Sequence, residues 1–299
     1  MQLKLSGHET FYPREAWLYK GISDQTLSPK FTFFQNENKE NEHPTDALGV
    51  GVNQVKSIRF WVHSIGLTEK LSSNEEVRSK LAEKLLRHDL YLDKLPTKWI
   101  LHYNLVTNEN APSVWKWFFC YSDIQSFKKD TFIHSFKEWA FEMTGGKPLS
   151  ERSMENDFST LIGMYSPSEG KELFYPSPFY TCEVLKYNPN VKRYYRNKNL
   201  NIPGNILFYC LYQFRERNFR DTNILDLEHL RRIPESPLQV FGIEVDRLFE
   251  LFEKLSSGLQ KKITVSRTAG IKTLNFGSTK EEEILKDVYG NNEEGRFLL

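Results

Sequence analysis

Leu48-Gly49-Val50-Gly51-Val52-Asn53-Gln54-Val55 leads into an apolar-periodic segment that closes at Ser64-Ile65-Gly66-Leu67. Val55, Ile58, Trp61, Val62 and Ile65 recur at helical spacing, Asn53 is expected as the N-cap, and Gly66 supplies the stop. That spacing leaves Lys56, Phe60 and His63 on the opposite side, with Arg59 on the flank. A Gly-rich turn followed by such a helix has the form of the second half of a helix-turn-helix. There the N-terminal polar residues face base edges while the apolar stripe rests on the preceding helices. On that reading Gln54, Lys56, Ser57 and Arg59 read bases or hold phosphate. The competing reading is a plain amphipathic core helix whose outer face is basic.

A second pattern of this kind lies near the other end. Ser236-Pro237 opens a helix in which Phe241, Val245, Leu248, Phe252 and Leu255 share one face, ending before Gly258. Ile263-Thr264-Val265 then alternates, Thr268-Ala269-Gly270 turns, and Ile271 to Phe276 alternates again. Helix followed by hairpin is the layout of a winged helix, with Lys261, Lys262, Arg267 and Lys272 on or beside the wing.

Between these patterns the chain is mostly helical. Helices are expected over 71–92, 98–106, 128–143, 154–164 and 204–219, and an exposed basic strand or hairpin over 191–201. The run Phe34 to Pro44, rich in Asn and Glu, reads as an exposed loop, and Gly145-Gly146-Lys147-Pro148 as a boundary. The expected architecture is mainly α with some β (α+β): a helical bundle with helix-turn-helix or winged-helix elements near both ends. Its domains are expected at 1–147 and 148–299.

With 299 residues, 39% hydrophobic and 26% charged, the chain has globular composition, and 14% aromatic residues imply a core of large flat side chains. There is neither an apolar run of membrane-spanning length nor a signal-peptide pattern, so a cytoplasmic protein without membrane contact is expected. Cys120, Cys182 and Cys210 form no C-x-x-C pair and are expected as small buried hydrophobes. The net charge of +1 is a cancellation. Lys186, Lys192, Arg193, Arg196, Lys198, Arg215, Arg217 and Arg220 face the single acid Glu216 in their stretch, residues 258–280 hold only cations, and residues 281–299 are acidic. A basic face suited to phosphate can therefore exist without a high pI. Lys192, Arg193, Arg196 and Lys198 are candidates for it, while the interleaved Tyr187, Tyr194 and Tyr195 are expected to pack inward.

Catalytic patterns are missing. His8-Glu9 has no second His at H-E-x-x-H spacing, Gly49-x-Gly51 has Gln54 where a dinucleotide loop needs Gly, and Gly146-Lys147 is followed by Pro148 where a P-loop needs Ser or Thr. Neither a nucleophile elbow nor a Cys/His arrangement stands out. The expectation is a non-enzymatic protein with no metal and no cofactor.

Ser6-Gly7-His8-Glu9-Thr10-Phe11, Arg14, Trp17-Leu18 and the Leu48 to Trp61 pattern together resemble the bacterial family called domain of unknown function 4007. The resemblance continues through Tyr91-Leu92-Asp93, Trp99 to Tyr103, Asp157, Met164-Tyr165, Ser177-Pro178 and Thr268-Ala269-Gly270-Ile271. It covers nearly the whole chain; the acidic run Glu37 to Glu42 looks like an insertion. It implies a setting beside sulfur-transfer proteins in gene clusters resembling DNA phosphorothioation and anti-phage defence systems. It assigns no catalytic residues, and His8, Glu9, Arg14 and Trp17 enter as motif residues without a role. The functional expectation is a DNA-binding accessory protein contacting double-stranded DNA. The alternative is an adaptor docking a sulfur-transfer enzyme or ATPase of the same cluster, through Phe60 and neighbouring aromatic surface.

Overall fold

The computed structural model describes residues 3–23, 43–72, 75–166, 176–256 and 263–290. Its contacts divide the chain into two units, one of residues 1–118 with 124–196 and one of residues 119–123 with 197–299. The expected 147/148 boundary thus falls inside the first unit.

The first unit opens with α1 (Trp17–Ile22), α2 (Pro44–Leu48) and α3 (Val52–Ile65). Gly49 in the left-handed region (φ 63°) closes α2, and Gly51 in extended conformation caps α3, so the cap is Gly51 and not Asn53. Both glycines therefore make the turn that the sequence suggested. Trp17, Leu48, Val55 and Ile58 form one buried cluster, with Phe11, Ala47 and Val50 packed against it. Gly66 (φ 79°) ends α3 as expected.

Beyond it the structure departs from the expected 71–92 helix. β1 (Thr68–Ser72) and β2 (Glu75–Arg78) form an antiparallel hairpin pairing Thr68 with Arg78 and Lys70 with Glu76. Only then does α4 (Lys80–His88) begin, capped by Ser79, whose Oγ accepts from the Ala82 N–H at 3.2 Å.

α5 (Leu95–Thr107) is buried on nearly every side, and α6 (Ser113–Lys116) runs into a wide helical turn over Trp117–Tyr121. α7 (Lys129–Thr144) and α8 (Glu151–Tyr165) pack on each other across the Gly145-Gly146 stop. β3 (Ser126–Phe127), β4 (Leu185–Asn188) and β5 (Arg193–Arg196) form a sheet in the order β3-β5-β4. The aromatic content is spent here: Phe118, Phe127, Phe132 and Phe158 meet at ring separations of 5.0–6.4 Å.

In the second unit α9 (Gly204–Asn218) is the central helix, followed by β6 (Ile224–Asp226), α10 (Leu227–Arg231), α11 (Pro237–Phe241), α12 (Val245–Ser256), β7 (Thr264–Thr268), β8 (Ile271–Asn275) and α13 (Glu281–Tyr289). The single helix expected from Ser236 to Gly258 is two, because Gly242 takes the left-handed conformation (φ 65°) and closes α11. The expected hairpin is present, with Thr268 paired to Ile271 across Ala269-Gly270. β6 joins its β8 edge, giving the order β6-β8-β7. The core of this unit includes Phe208 stacked on Phe276 at 5.4 Å and the buried Leu248, Phe252 and Leu255 of α12.

Candidate nucleic-acid interface

The outer stripe of α3 carries Lys56, Arg59 and His63 at one-turn intervals, and the helix holds neither Asp nor Glu. Lys56 is exposed. Gln54 is half-buried, and its Oε1 accepts from the Gly51 N–H at 3.3 Å, so it helps cap the helix it was expected to read from. Ser57 is a correction: it is fully buried and its hydroxyl donates to the Phe11 carbonyl at 3.3 Å, so it faces the core and cannot touch DNA. Arg59 is partly sequestered, its Nε donating to the buried Glu76 of β2 at 2.8 Å.

The hairpin adds an exposed cation, Lys70, that the sequence did not single out. Lys70 of β1 is exposed, and its charge and those of Lys4 and Arg59 act on His63. Burial first, then Lys70, holds the His63 imidazole below its ordinary pKa, Glu76 opposing. Lys70 and Glu76 reach His63 through the hairpin that follows α3, and Lys4 acts from the N-terminal segment.

Of the 192–198 group, Lys192 and Lys198 are exposed. Arg193 donates to the Ser126 carbonyl and hydroxyl, both at 3.2 Å, and Arg196 lies over the Phe118 ring at 4.3 Å. Both guanidiniums are therefore engaged by the first unit itself. Tyr187 and Tyr194 meet at 4.8 Å, and Tyr194 stacks on Phe127 at 5.7 Å, the inward packing that was expected.

On the β7–β8 hairpin Arg267 is exposed. Lys272 is the second correction: its side chain is buried and its ammonium is bonded to Asp246 of α12, whose carboxyl it holds below the usual range. Lys261 and Lys262 lie outside the described residues, as do the acidic 37–42 run and Gly258. Around α12 Glu244, Asp246, Glu250, Glu253 and Lys254 are exposed, with Glu244 paired to Arg231 at 3.1 Å and Asp246 to Lys272. Arg215 and Arg220, from the same basic stretch, serve the fold: Arg215 donates to Asn223 Oδ1 at 2.7 Å and lies 5.3 Å from the Phe276 ring, and Arg220 bonds the Glu216 carbonyl.

The family motif is internal. His8 and Asp157 are both fully buried, and Asp157 Oδ1 accepts from His8 Nε2 at 2.8 Å and from the Ser6 N–H at 2.9 Å. The Thr10 N–H donates to His8 Nδ1 at 3.1 Å, which places the remaining ring proton on Nε2. His8 stacks on Trp61 at 5.8 Å with Phe60 and Trp115 edge-on, while Trp61 Nε1 donates to the Phe11 carbonyl at 2.9 Å. Ser6, Glu9 and Thr10 all have positive φ, a tight loop that these bonds hold in place. Arg14 lies over the Trp17 ring at 5.0 Å instead of turning towards His8. His8, Glu9 and Arg14 thus do not converge on a cleft; the motif is the seat of α3. Phe60, expected on an exposed docking patch, is half-buried against Gly7, where a Cβ would overlap its ring.

Deeper in this unit, burial and the Arg196 charge lower the His102 pKa to about 3, and His102 Nδ1 is 2.8 Å from the Tyr165 hydroxyl. Among the described residues, no three His, Cys, Asp or Glu side chains come together as a metal site would require. No helix among them is long and apolar enough to cross a membrane. All three cysteines are buried, and burial pushes the thiols of Cys182 and Cys210 up. A disulfide reagent should therefore leave the folded protein unlabelled over minutes and titrate three thiols in denaturant; prompt labelling of the folded protein would contradict this packing.

Two solved structures share this fold. One, described as the SspB crystal structure, aligns with a TM-score of 0.81 at 20% identity, covering 98% of this chain and 91% of that one. The other, described as magnesium ion-bound SspB, aligns with a TM-score of 0.80 at the same identity and coverage. No curated protein sequence matches the chain. The family model for "Protein of unknown function (DUF4007)" matches residues 5–289, and the chain belongs to that family.

Proposed function

We propose that this chain is a non-enzymatic DNA-binding accessory protein of a DNA phosphorothioation-related or anti-phage defence system, and that the first unit carries the DNA contact. The observation that carries the reading is the order α2, Gly turn, α3, hairpin, with an acid-free α3. A helix-turn-helix followed by a β-hairpin is a winged helix. In that arrangement the second helix enters the major groove and the wing tracks the neighbouring phosphates. Lys56 and Lys70 are the exposed cations on those two elements. The defence setting rests on the gene neighbourhood that the family resemblance implies.

We read the second unit as winged-helix-like too, on the order α9, β6, α10, α11, α12, β7, β8 and a sheet in the order β6-β8-β7. Its α12 exposes Glu250 and Glu253, which would face phosphate with like charge, while Asp246 is already paired with Lys272. That acidity favours a second role for this unit, docking a protein of the same cluster, with Arg267 as its exposed hairpin cation.

Fluorescence anisotropy with matched plain and phosphorothioate duplexes, from about 50 to about 200 mM salt, tests the reading. Wild type should bind with a steep inverse salt dependence, and Lys56→Ala should weaken binding several-fold and flatten the slope by about one. Arg267→Ala should change neither. Binding indifferent to salt, or none at the lowest salt, removes the DNA reading and leaves the adaptor.

A further inference from the structure

We infer that a cavity of about 410 Å³ beside the outer edge of β4 is a binding site for a nucleobase carrying a phosphate, with Tyr180 and Tyr187 stacking the ring and Lys186 holding the anion. The base comes from a free nucleotide or from an unpaired position of a strand. The inference goes beyond the duplex contact above and shares no residue with α3 or the β1–β2 hairpin.

Three pieces of the first unit line the cavity: Ser166 after the end of α8, Tyr180 and Glu183 at the turn Tyr180–Cys182, and Leu185, Lys186 and Tyr187 of β4. Its size falls within the roughly 300–1,000 Å³ usual for small-molecule sites. Successive side chains of a strand point to opposite faces, so three consecutive lining residues place the cavity along the strand's edge. β4 is an outer strand of the β3-β5-β4 sheet. The Arg196 N–H bonds the Gln125 carbonyl at 2.9 Å, which turns alternate residues of β5, Arg196 and Tyr194, towards β3. Leu185 lies opposite Arg196 and Tyr187 opposite Tyr194, so these two turn their N–H and C=O groups outward, along the cavity. Neither has a hydrogen-bond partner on that side among the described residues. Ser166 is only 6% exposed, and its hydroxyl is neither hydrogen-bonded among the described residues nor sealed from solvent. These groups offer donors and acceptors to the edge of one ring.

The tyrosines suit the faces of that ring. Tyr180 is 41% exposed, and its ring meets no other ring among the described residues. Tyr187 is backed by Tyr194 at 4.8 Å, which itself stacks on Phe127 at 5.7 Å, so the Tyr187 ring is a fixed platform. Such aromatic faces stack any base. Tyrosines beside the acid Glu183 would also suit an organic cation. Lys186 decides against one: exposed, and without an ion-pair partner among the described residues, it repels a cation and pairs with a phosphate. Glu183 then serves as an acceptor for base N–H groups. Its backbone is held in the left-handed region (φ 48°), with its N–H bonded to the Tyr180 carbonyl at 3.1 Å, a strained conformation of the kind that clusters at ligand sites.

Calorimetric titration of the full chain tests the inference, with the four deoxynucleoside 5′-monophosphates, the corresponding nucleosides, inorganic phosphate and a short single strand. The variants are Tyr180→Ala, Lys186→Gln, Lys56→Ala and, on exposed α7 surface, Lys137→Gln. Tyr180 and Lys186 are both exposed, so denaturation midpoints read by tryptophan fluorescence should stay at the wild-type value. A monophosphate or the single strand should bind, and Tyr180→Ala should weaken that binding roughly tenfold or more. Lys186→Gln should weaken the phosphorylated ligand roughly three- to tenfold and leave the nucleoside unaffected. For the monophosphates, Lys56→Ala and Lys137→Gln should match wild type. Monophosphate binding identifies a free-nucleotide site, and binding of the single strand alone identifies an unpaired-base site. The inference is overturned if neither binds, if inorganic phosphate binds as tightly as the nucleotides, or if Tyr180→Ala and Lys186→Gln both match Lys137→Gln.

Discussion

Asp157→Ala should destabilise the first unit by about 3 kcal/mol, because it strands two buried donors, the Ser6 N–H and His8 Nε2–H, that share one carboxylate oxygen. Asp157→Asn keeps the volume and an acceptor and should lose less than half as much. The measurement is unusually clean here. All six tryptophans, at positions 17, 61, 99, 115, 117 and 139, lie in the first unit, so intrinsic fluorescence follows its unfolding alone. A denaturation midpoint for Asp157→Ala equal to wild type would mean that the family motif does not seat α3 as described.

Gly21→Val should cost about 3 kcal/mol, and even Gly21→Ala should be destabilising. In an ordinary helix interior the second change helps by up to about 1 kcal/mol, by lowering the entropy of the unfolded chain and raising helix propensity. Here a Cβ would sit 2.7 Å from Val62 Cγ1 and 2.9 Å from Ile58 Cγ2, both on fully buried residues of α3. Overpacking of that kind costs about 1–3 kcal/mol and reverses the sign. α1 approaches α3 closely because Gly21 has no side chain. The same fluorescence transition reads the effect, and a stabilised Gly21→Ala would show that the two helices are not in this contact.

What could be read in the sequence follows from where a signal was local. α3 and its glycine turn were visible because five apolar residues keep one helical register between Gly51 and Gly66. The β7–β8 hairpin was visible because its strands alternate about Ala269-Gly270. The β1–β2 hairpin was not. Glu69, Lys70 and Leu71 are all exposed and carry no alternation, so the leucines of α4 extended a helical reading backwards through the strands. The break at Gly242 was hidden by apolar residues that stay in phase across it, Phe241 on one side and Val245 on the other.

For the site, residue type was legible and orientation was not. Ser57 is one residue from the exposed Lys56, yet a helical step of about 100° turns it into the core. Lys272 pairs with Asp246, a partner 26 positions away. His8 and Asp157 were both part of the quoted motif, but only the fold makes them a pair.

The assignment of residues 119–123 to the second unit has a consequence for how the chain is made. Phe119 and Cys120 are almost fully buried, yet the rest of their unit begins only at residue 197, about 70 residues later. At translation rates of about 5–20 residues per second, that interval is roughly 4–15 s. That interval is spent making the rest of the first unit, and throughout it a buried-type aromatic ring and a thiol wait in the chain without the rest of their own unit. The nascent chain therefore passes through a window in which Cys120 is open to oxidation and Phe119 to chaperones. For the same reason a fragment cut at residue 196 would keep that apolar segment permanently uncovered, so the full chain is the right form in which to study either unit.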